Sequence, residues 1–260
     1  MTLPSLLGMV HLAPLPGSPR FGGDLDAVIA RAVTDAVRLT EAGFTALMIE
    51  NFGDVPFYPS SVPSITISSM TRAASAIRDA TGAEMGVNVL RNDATGALAV
   101  AAASGATMIR VNVLTGVMYT DQGRITGKAA EVARLRSEWC PQVRIIADVL
   151  VKHAVPPPGL TIEQAGTDTW ERGGADALVV SGDGTGKVPD VDLGRRLRKA
   201  VPDAPIYVGS GATVATLAEL ATFATGAIVG SALKEGGRAE GLVDQEAARR
   251  FRAAAREVGW

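Results

Sequence analysis

Four side chains in this sequence can donate or accept protons and share one position in the local pattern. His11, Glu50, Asp148 and Lys152 each end, or closely follow, a short run of apolar residues. If these runs are neighbouring strands of a parallel sheet, the groups at their ends meet at one edge. Positioned carboxylates and imidazoles transfer protons. We therefore predict Asp148 as the acid–base group, with Glu50 and His11 assisting it.

The same side chains leave other chemistries open. His11, Glu50 and Asp148 could hold a metal ion, but trios of this kind also arise by chance and we assign no metal. Lys152 could form a Schiff base if it were desolvated. A lysine at a strand end more often binds an anion, and we favour that role. The cofactor is left unassigned.

Glycine-rich turns follow the last three apolar runs. Backbone N–H groups can converge on an anion at glycine, and phosphate sites commonly use such turns. We predict substrate binding at Ser181, Gly182, Gly209, Ser210, Gly211, Gly230 and Ser231. A single glycine-rich turn would indicate only a tight connection between a strand and the helix that follows it. The first turn is not a P-loop, because Ser181 stands where that motif needs glycine and Val188 where it needs Ser or Thr.

Short β-branched runs alternate with stretches of helical spacing, which indicates a parallel sheet covered by helices. We predict strands at Leu6–His11, Ala46–Glu50, Met85–Val89, Met108–Val111, Arg144–Asp148, Ala177–Val180, Ile206–Val208 and Ala227–Val229. Their average spacing of about 32 residues suits a single α/β domain, a (β/α)8 TIM barrel over residues 1–260. An open doubly wound sheet would need a glycine turn where Leu12–Pro19 is rich in proline.

Strand parity predicts which side chains enter the barrel. Around the fourth strand, Ile109, Val111 and Val113 form an apolar set that faces the helices, so Arg110 and Asn112 face inward. The same parity turns inward the side chains of His11, Glu50, Asn88 and Asp148. Five neighbouring strands therefore supply polar groups to one space.

These inward polar groups have a structural and a functional interpretation. Arg110 could pair with Glu50 or Asp148 merely to complete a buried polar layer. A purely structural barrel, however, fills its interior with Val, Ile and Leu. We therefore predict that Asn88, Arg110 and Asn112 bind substrate.

Two loops could cover the barrel mouth. The loop after the second strand contains Phe52, Phe57 and Tyr58, which could stack on a base, close as a lid or pack on the barrel rim. We favour rim packing. The segment Tyr119–Arg124, after the fourth strand, is a second candidate lid.

Composition argues against several functions. Among 260 residues there are 25 basic and 27 acidic ones, without a run of five or more like charges, which argues against nucleic-acid and anionic-membrane partners. The longest apolar stretch, Ala97–Ala103, is far short of the roughly 20 residues that span a bilayer. The N-terminus does not have the pattern of a signal peptide, so we predict a cytoplasmic location.

Eight segments together resemble the BtpA family of barrel proteins, which is named after a photosystem I biogenesis factor. They are Gly8–Pro19, Glu50–Asp54, Gly86–Asp93, Arg110–Gly116, Ala147–Ala154, Val180–Gly186, Val208–Thr213 and Val229–Lys234. The resemblance implies a barrel related to ribulose-phosphate-binding enzymes, and it supports the pocket described above. It implies no particular reaction.

We expect an enzyme that acts by acid–base chemistry on a phosphorylated small molecule, a sugar phosphate or a nucleotide-derived compound. Hydrolysis, lyase chemistry and isomerisation all remain open. The family name suggests an alternative, a non-catalytic assembly or stability factor. A flavin-binding oxidoreductase is a third hypothesis, because the phosphate of a flavin can bind at the same glycine-rich turns. Barrels often associate, so a homo-oligomer is left open.

Overall fold

The computed structural model describes residues 3–182 and 190–260, and eight parallel strands within these ranges close into a barrel. These strands are β1 (Leu6–His11), β2 (Ala46–Glu50), β3 (Glu84–Asn88), β4 (Met108–Val111), β7 (Arg144–Asp148), β9 (Ala177–Val180), β10 (Ile206–Val208) and β11 (Gly226–Val229). They follow one another around the barrel in chain order, and β11 closes it by pairing with β1. The predicted barrel is confirmed; β3 begins and ends one residue earlier than predicted, and β11 begins one residue earlier.

Helices follow the strands and cover the outside of the barrel. The described α-helices are α1 (Leu25–Glu41), α2 (Ser64–Thr81), α3 (Ala94–Ser104), α4 (Ala129–Trp139), α5 (Ile162–Thr167), α6 (Val191–Ala200), α7 (Leu217–Leu220) and α8 (Gln245–Glu257). The Asp24 carboxylate caps α1 by accepting from the Ala27 N–H, and Gly82 ends α2 in the left-handed region at φ 64°. None of these described helices is both long and apolar enough to cross a membrane.

Apolar side chains pack in two layers that the strand parity separates. Outward residues such as Ile49, Ile109 and Val208 pack against the helices in the larger cluster. Inward residues such as Met48, Met108 and Tyr207 fill the barrel interior in a second cluster. The interior is therefore closed below the mouth, and only the upper ends of the strands can form a pocket.

The segment predicted as a second lid is an ordered β-hairpin. Its strands, with a third short strand, form the antiparallel sheet β5 (Val117–Thr120), β6 (Gly123–Thr126) and β8 (Ala154–Val155). Met118 and Ile125 on this sheet pack against Val113 and Val151. The prediction that Val113 faces the helices is wrong, because β4 ends at Val111 and its parity does not extend beyond.

Candidate functional site

Each barrel strand carries an interior residue followed, two positions later, by a polar residue or glycine at the mouth. These pairs are Met9 and His11, Met48 and Glu50, Gly86 and Asn88, Met108 and Arg110, Ile146 and Asp148, Val179 and Ser181, Tyr207 and Gly209, and Ile228 and Gly230. Side chains two positions apart on a strand share a face. Period-two parity therefore brings the predicted residues of all eight strands to the C-terminal end of the barrel, where barrel enzymes have their active sites.

A buried ion pair joins β4 and β7 in this layer. Arg110 donates from Nε to Oδ2 of Asp148 at 2.9 Å and from Nη2 to Oδ1 at 2.8 Å, and the two side chains are only 2% and 0% exposed. Asn112 adds a third donor at 3.2 Å from Oδ2. Burial alone would lower the pKa of Arg110, but the charge and hydrogen bonds of Asp148 raise it overall. Because both carboxylate oxygens are engaged, this geometry favours a positioning role for Asp148.

Glu50 is the carboxylate that faces the cavity at the mouth. Its Oε2 accepts from Nδ2 of Asn88 at 2.8 Å. Its Oε1 accepts no hydrogen bond from the described residues, and Nε2 of His11 lies 3.9 Å away. Glu50 lines the same cavity as Arg110 and Lys152. Of the two predicted carboxylates, Glu50 is therefore the one with an oxygen available to a ligand.

His11 is held in one orientation between two loops. Its Nδ1 lies 3.0 Å from the Ala239 carbonyl, which can only accept, so Nδ1 carries the proton and Nε2 is left as an acceptor. The Phe52 ring lies against the imidazole, with a centroid distance of 4.6 Å. Burial, followed by the charges of Lys234 and Lys152, lowers the pKa of His11 well below its ordinary value of 6.5. The imidazole is therefore neutral near pH 7.

The lowered pKa of His11 predicts how stability depends on pH. Below pH 6.5 the unfolded chain binds a proton at His11 that the folded protein does not bind. The free energy of unfolding should therefore fall with decreasing pH, by up to about 1.4 kcal/mol per pH unit from this group. Urea unfolding of wild type and His11→Gln at a series of pH values measures the difference in slope. Equal slopes on the acid side would contradict the prediction.

Two further cations reach the mouth, and sequence reasoning identified only one of them. Lys152 is half-buried, lines the cavity and forms no ion pair with the described residues; burial, then the charge of Arg110, lowers its pKa. Arg91, which sequence reasoning missed, is buried and donates from Nη2 to the Lys152 carbonyl at 2.6 Å. The sequence feature that could have identified Arg91 is its position three residues beyond Asn88, in the turn after β3.

The glycines at the opposite side of the mouth allow a close approach that a larger residue would block. A Cβ on Gly209 would lie 2.4 Å from Cγ1 of Val179 and 2.9 Å from Nη2 of Arg110. A Cβ on Gly230 would lie 2.9 Å from Cε1 of His11. Glycine at these two positions therefore brings backbone directly against the charged and aromatic groups of the mouth.

Two buried polar atoms of the predicted site residues have no partner among the described residues. Oγ of Ser181 and Oδ1 of Asn112 are buried and accept or donate no hydrogen bond among the described residues. Oγ of Ser210, in contrast, accepts from the Gly182 N–H at 3.2 Å and so connects the turns after β9 and β10. Buried polar atoms without a partner are costly, so a bound ligand or water would stabilise Ser181 and Asn112.

The predicted site residues line three different cavities. One of about 30 Å³ is lined by His11, Glu50, Arg110, Lys152, Gly209, Ser210, Gly211, Gly230 and Ser231. A second, of about 330 Å³, shares Lys152 and includes Ser181 and Gly182. Asn112 and Asp148 line a third, of about 60 Å³, and Asn88 contacts the site through Glu50. Asp183–Lys187, from the glycine-rich turn after β9, lie outside the described residues.

The predicted alternative of a metal trio finds little geometric support. Among the described residues, no group of three or more His, Cys, Asp or Glu side chains is placed to hold a metal ion. Asp148 forms an ion pair with Arg110, whereas His11 and Glu50 face the cavity at another part of the mouth.

A solved structure shares this fold. Phosphoribosyl anthranilate isomerase from Thermus thermophilus superposes with a TM-score of 0.61 over 97% of this chain and 98% of its own. Sequence identity is 13%, so the likeness concerns the fold alone.

Sequence relatives cover nearly the whole chain. An uncharacterized protein of Thermococcus kodakarensis is 50% identical over 97% of this chain and 95% of its own length. The photosystem I biogenesis protein BtpA of Synechocystis sp. is 45% identical over 92% of this chain and 83% of its own length. The model of the BtpA family matches residues 2–257. This chain therefore belongs to the BtpA family.

Proposed function

We propose that this protein is an enzyme that binds a phosphorylated small molecule at the barrel mouth and transforms it by acid–base chemistry. The observation that carries the proposal is one cavity that combines backbone glycines with two cations and a carboxylate that has a free oxygen. The cations are Arg110 and Lys152, and the carboxylate is Glu50. A sugar phosphate or a nucleotide-derived compound has the groups that such a cavity recognises.

The glycine turns are the proposed phosphate-binding part of the site. In this proposal the phosphate contacts backbone at Gly209, Ser210, Gly211, Gly230 and Ser231, where barrels commonly bind phosphate. Lys152 forms no ion pair with the described residues and would neutralise the anion. The cavity at the turns, about 30 Å³, suits a small group, and the adjoining one of about 330 Å³ leaves space for the remaining ligand.

The proposed chemical roles follow from the hydrogen bonds. Glu50 is the acid–base group, because its Oε1 is open to the cavity while Asn88 fixes its Oε2. Asp148 holds Arg110 in place and acts through it. His11, neutral and fixed by Ala239, presents Nε2 toward Glu50 and can accept a proton or a substrate hydroxyl. Proton transfer, hydrolysis and bond cleavage with these groups are all compatible with the site.

Named relatives support two different roles. The structural neighbour is, by its name, an isomerase that acts on a phosphoribosyl compound, which agrees with an enzyme. The Synechocystis relative is, by its name, a photosystem I biogenesis protein, which favours an assembly factor as the second candidate. A scaffold that binds through its helix layer should expose apolar residues there. Most of the large exposed apolar residues described lie instead in loops and in the small antiparallel sheet, among them Val55, Tyr58, Tyr119 and Val155.

Gly230→Ala tests the phosphate site. The added methyl group would lie 2.9 Å from Cε1 of His11 and narrow the cavity. We expect inorganic phosphate and sugar phosphates to bind at least about tenfold more weakly, because close backbone approach is lost. Isothermal titration calorimetry measures the affinity, and a thermal-shift panel of sugar phosphates, nucleotides and phosphate selects the ligands.

Gly22→Ala is the matched control, since a Cβ there meets nothing within 4 Å. It should bind phosphate like wild type. A folded wild-type protein that binds no phosphorylated compound would overturn the proposed function. Pull-down experiments would then decide for the assembly factor, whose partners should be retained when Gly230 is changed.

A further inference from the structure

A second pocket lies on the other side of His11 from the glycine turns. It has a volume of about 150 Å³ and is walled by apolar residues of the β1–α1 and β2–α2 loops, including Pro14 and Phe52. Two arginines, Arg20 and Arg31, also line it. A pocket with mostly apolar walls and two guanidinium groups has the chemistry of a site for an organic anion.

The positive charge of this pocket is not neutralised within the described chain. Neither Arg20 nor Arg31 forms an ion pair with any described carboxylate. Arg31 donates from Nη2 to the main-chain carbonyl of Glu240, but its Nε is buried and has no partner. Glu240 is the one acidic residue among the lining residues, and it is exposed. A buried guanidinium N–H without an acceptor is costly, and an anionic ligand would satisfy it.

A single imidazole ring separates this pocket from the proposed phosphate site. His11 lines both cavities. Its Cε1 edge faces Gly230 on one side, and its ring packs against Phe52 on the other. Because His11 borders both cavities, a ligand that extends past this side chain could place one group at the glycine turns and another at the arginines.

We propose that Arg20 and Arg31 form a second anion subsite, so that the substrate carries a carboxylate or a second phosphate in addition to its first phosphate. This inference rests on the proposed function for the position of the first phosphate. Both anionic groups make paired hydrogen bonds with guanidinium, so the chemistry that the subsite recognises is shared.

Calorimetric titration of matched ligands tests the subsite. In ω-carboxyalkyl phosphates and alkane bisphosphates of increasing chain length, a carboxylate or a second phosphate lies at increasing distances from the first phosphate. Simple alkyl phosphates of the same lengths carry no second anion and serve as the reference. At the best length, a doubly anionic ligand should bind at least about tenfold more tightly than the alkyl phosphate. The double variant Arg20→Gln/Arg31→Gln should lose this gain and bind the alkyl phosphate within about twofold of wild type.

The double variant Arg72→Gln/Arg250→Gln removes the same charge from exposed helix faces, where the side chains are 59% and 60% exposed. It should keep the preference for two anions. No preference at any chain length, or a preference that survives in Arg20→Gln/Arg31→Gln, would overturn the subsite. If alkyl phosphates do not bind but simple alkanoates bind only with both arginines present, the subsite stands and the proposed phosphate site fails.

Discussion

Asp148→Ala should lower the free energy of unfolding by about 3–5 kcal/mol, the range for breaking a buried ion pair. The variant leaves the Arg110 guanidinium, which is 2% exposed, without its carboxylate. It also removes the acceptor of the Asn112 amide. A buried charge without a partner keeps its desolvation cost and loses the attraction that offsets it. The loss should therefore exceed that expected from the size of the side chain alone.

Urea unfolding at pH 7 measures this loss, and two further proteins make it interpretable. Removing both charges in Arg110→Met/Asp148→Leu should restore most of the stability, because the desolvation cost disappears with the pair. Asp26→Ala breaks an exposed pair with Arg72 and should change stability by less than about 1 kcal/mol. A loss of similar size in Asp148→Ala and Asp26→Ala would contradict the importance of the buried pair.

The second large effect is expected at Glu50. Glu50→Gln should lower kcat by at least about a hundredfold, the low end of acid–base contributions, because the amide cannot take up a proton. Its shape is nearly unchanged, and its oxygen can still accept from Asn88. Because the change also removes a negative charge from the cavity that would hold the phosphate, affinity for inorganic phosphate should not fall. Turnover of compounds chosen by thermal shift can be followed by phosphorus NMR.

Comparison with two variants separates the role of Glu50 from other effects. Glu246→Gln, on the exposed face of α8, makes the same chemical change where the side chain is 82% exposed, and should leave kcat unaltered. Asp148→Asn should weaken phosphate binding, because Arg110 loses its anchor. The opposite pattern, with kcat lost in Asp148→Asn at unchanged phosphate affinity and retained in Glu50→Gln, would assign the acid–base role to Asp148.

The order of elements and the set of residues at the mouth could be predicted from the sequence. Apolar runs about 32 residues apart, each followed by helical spacing, specify βα units, and eight such units close a barrel. Within a strand, side chains alternate with a fixed period of two. Once Met48, Met108 and Ile146 are placed inside, Glu50, Arg110 and Asp148 must lie on the same face one step higher.

Only the tertiary structure decided which of these groups pair. Parity places Arg110, Glu50 and Asp148 in one layer, but the choice of partner depends on distances across the barrel, and β4 lies next to β7 and not to β2. Arg91 and the Tyr119–Arg124 hairpin lie beyond the ends of the barrel strands, where the alternation within those strands no longer determines their position. The sequence thus determined the barrel and the residues at its mouth. The hydrogen-bond and ion-pair partners of those residues were decided by contacts between distant segments. The reason is that side-chain pairing depends on positions that local periodicity does not specify.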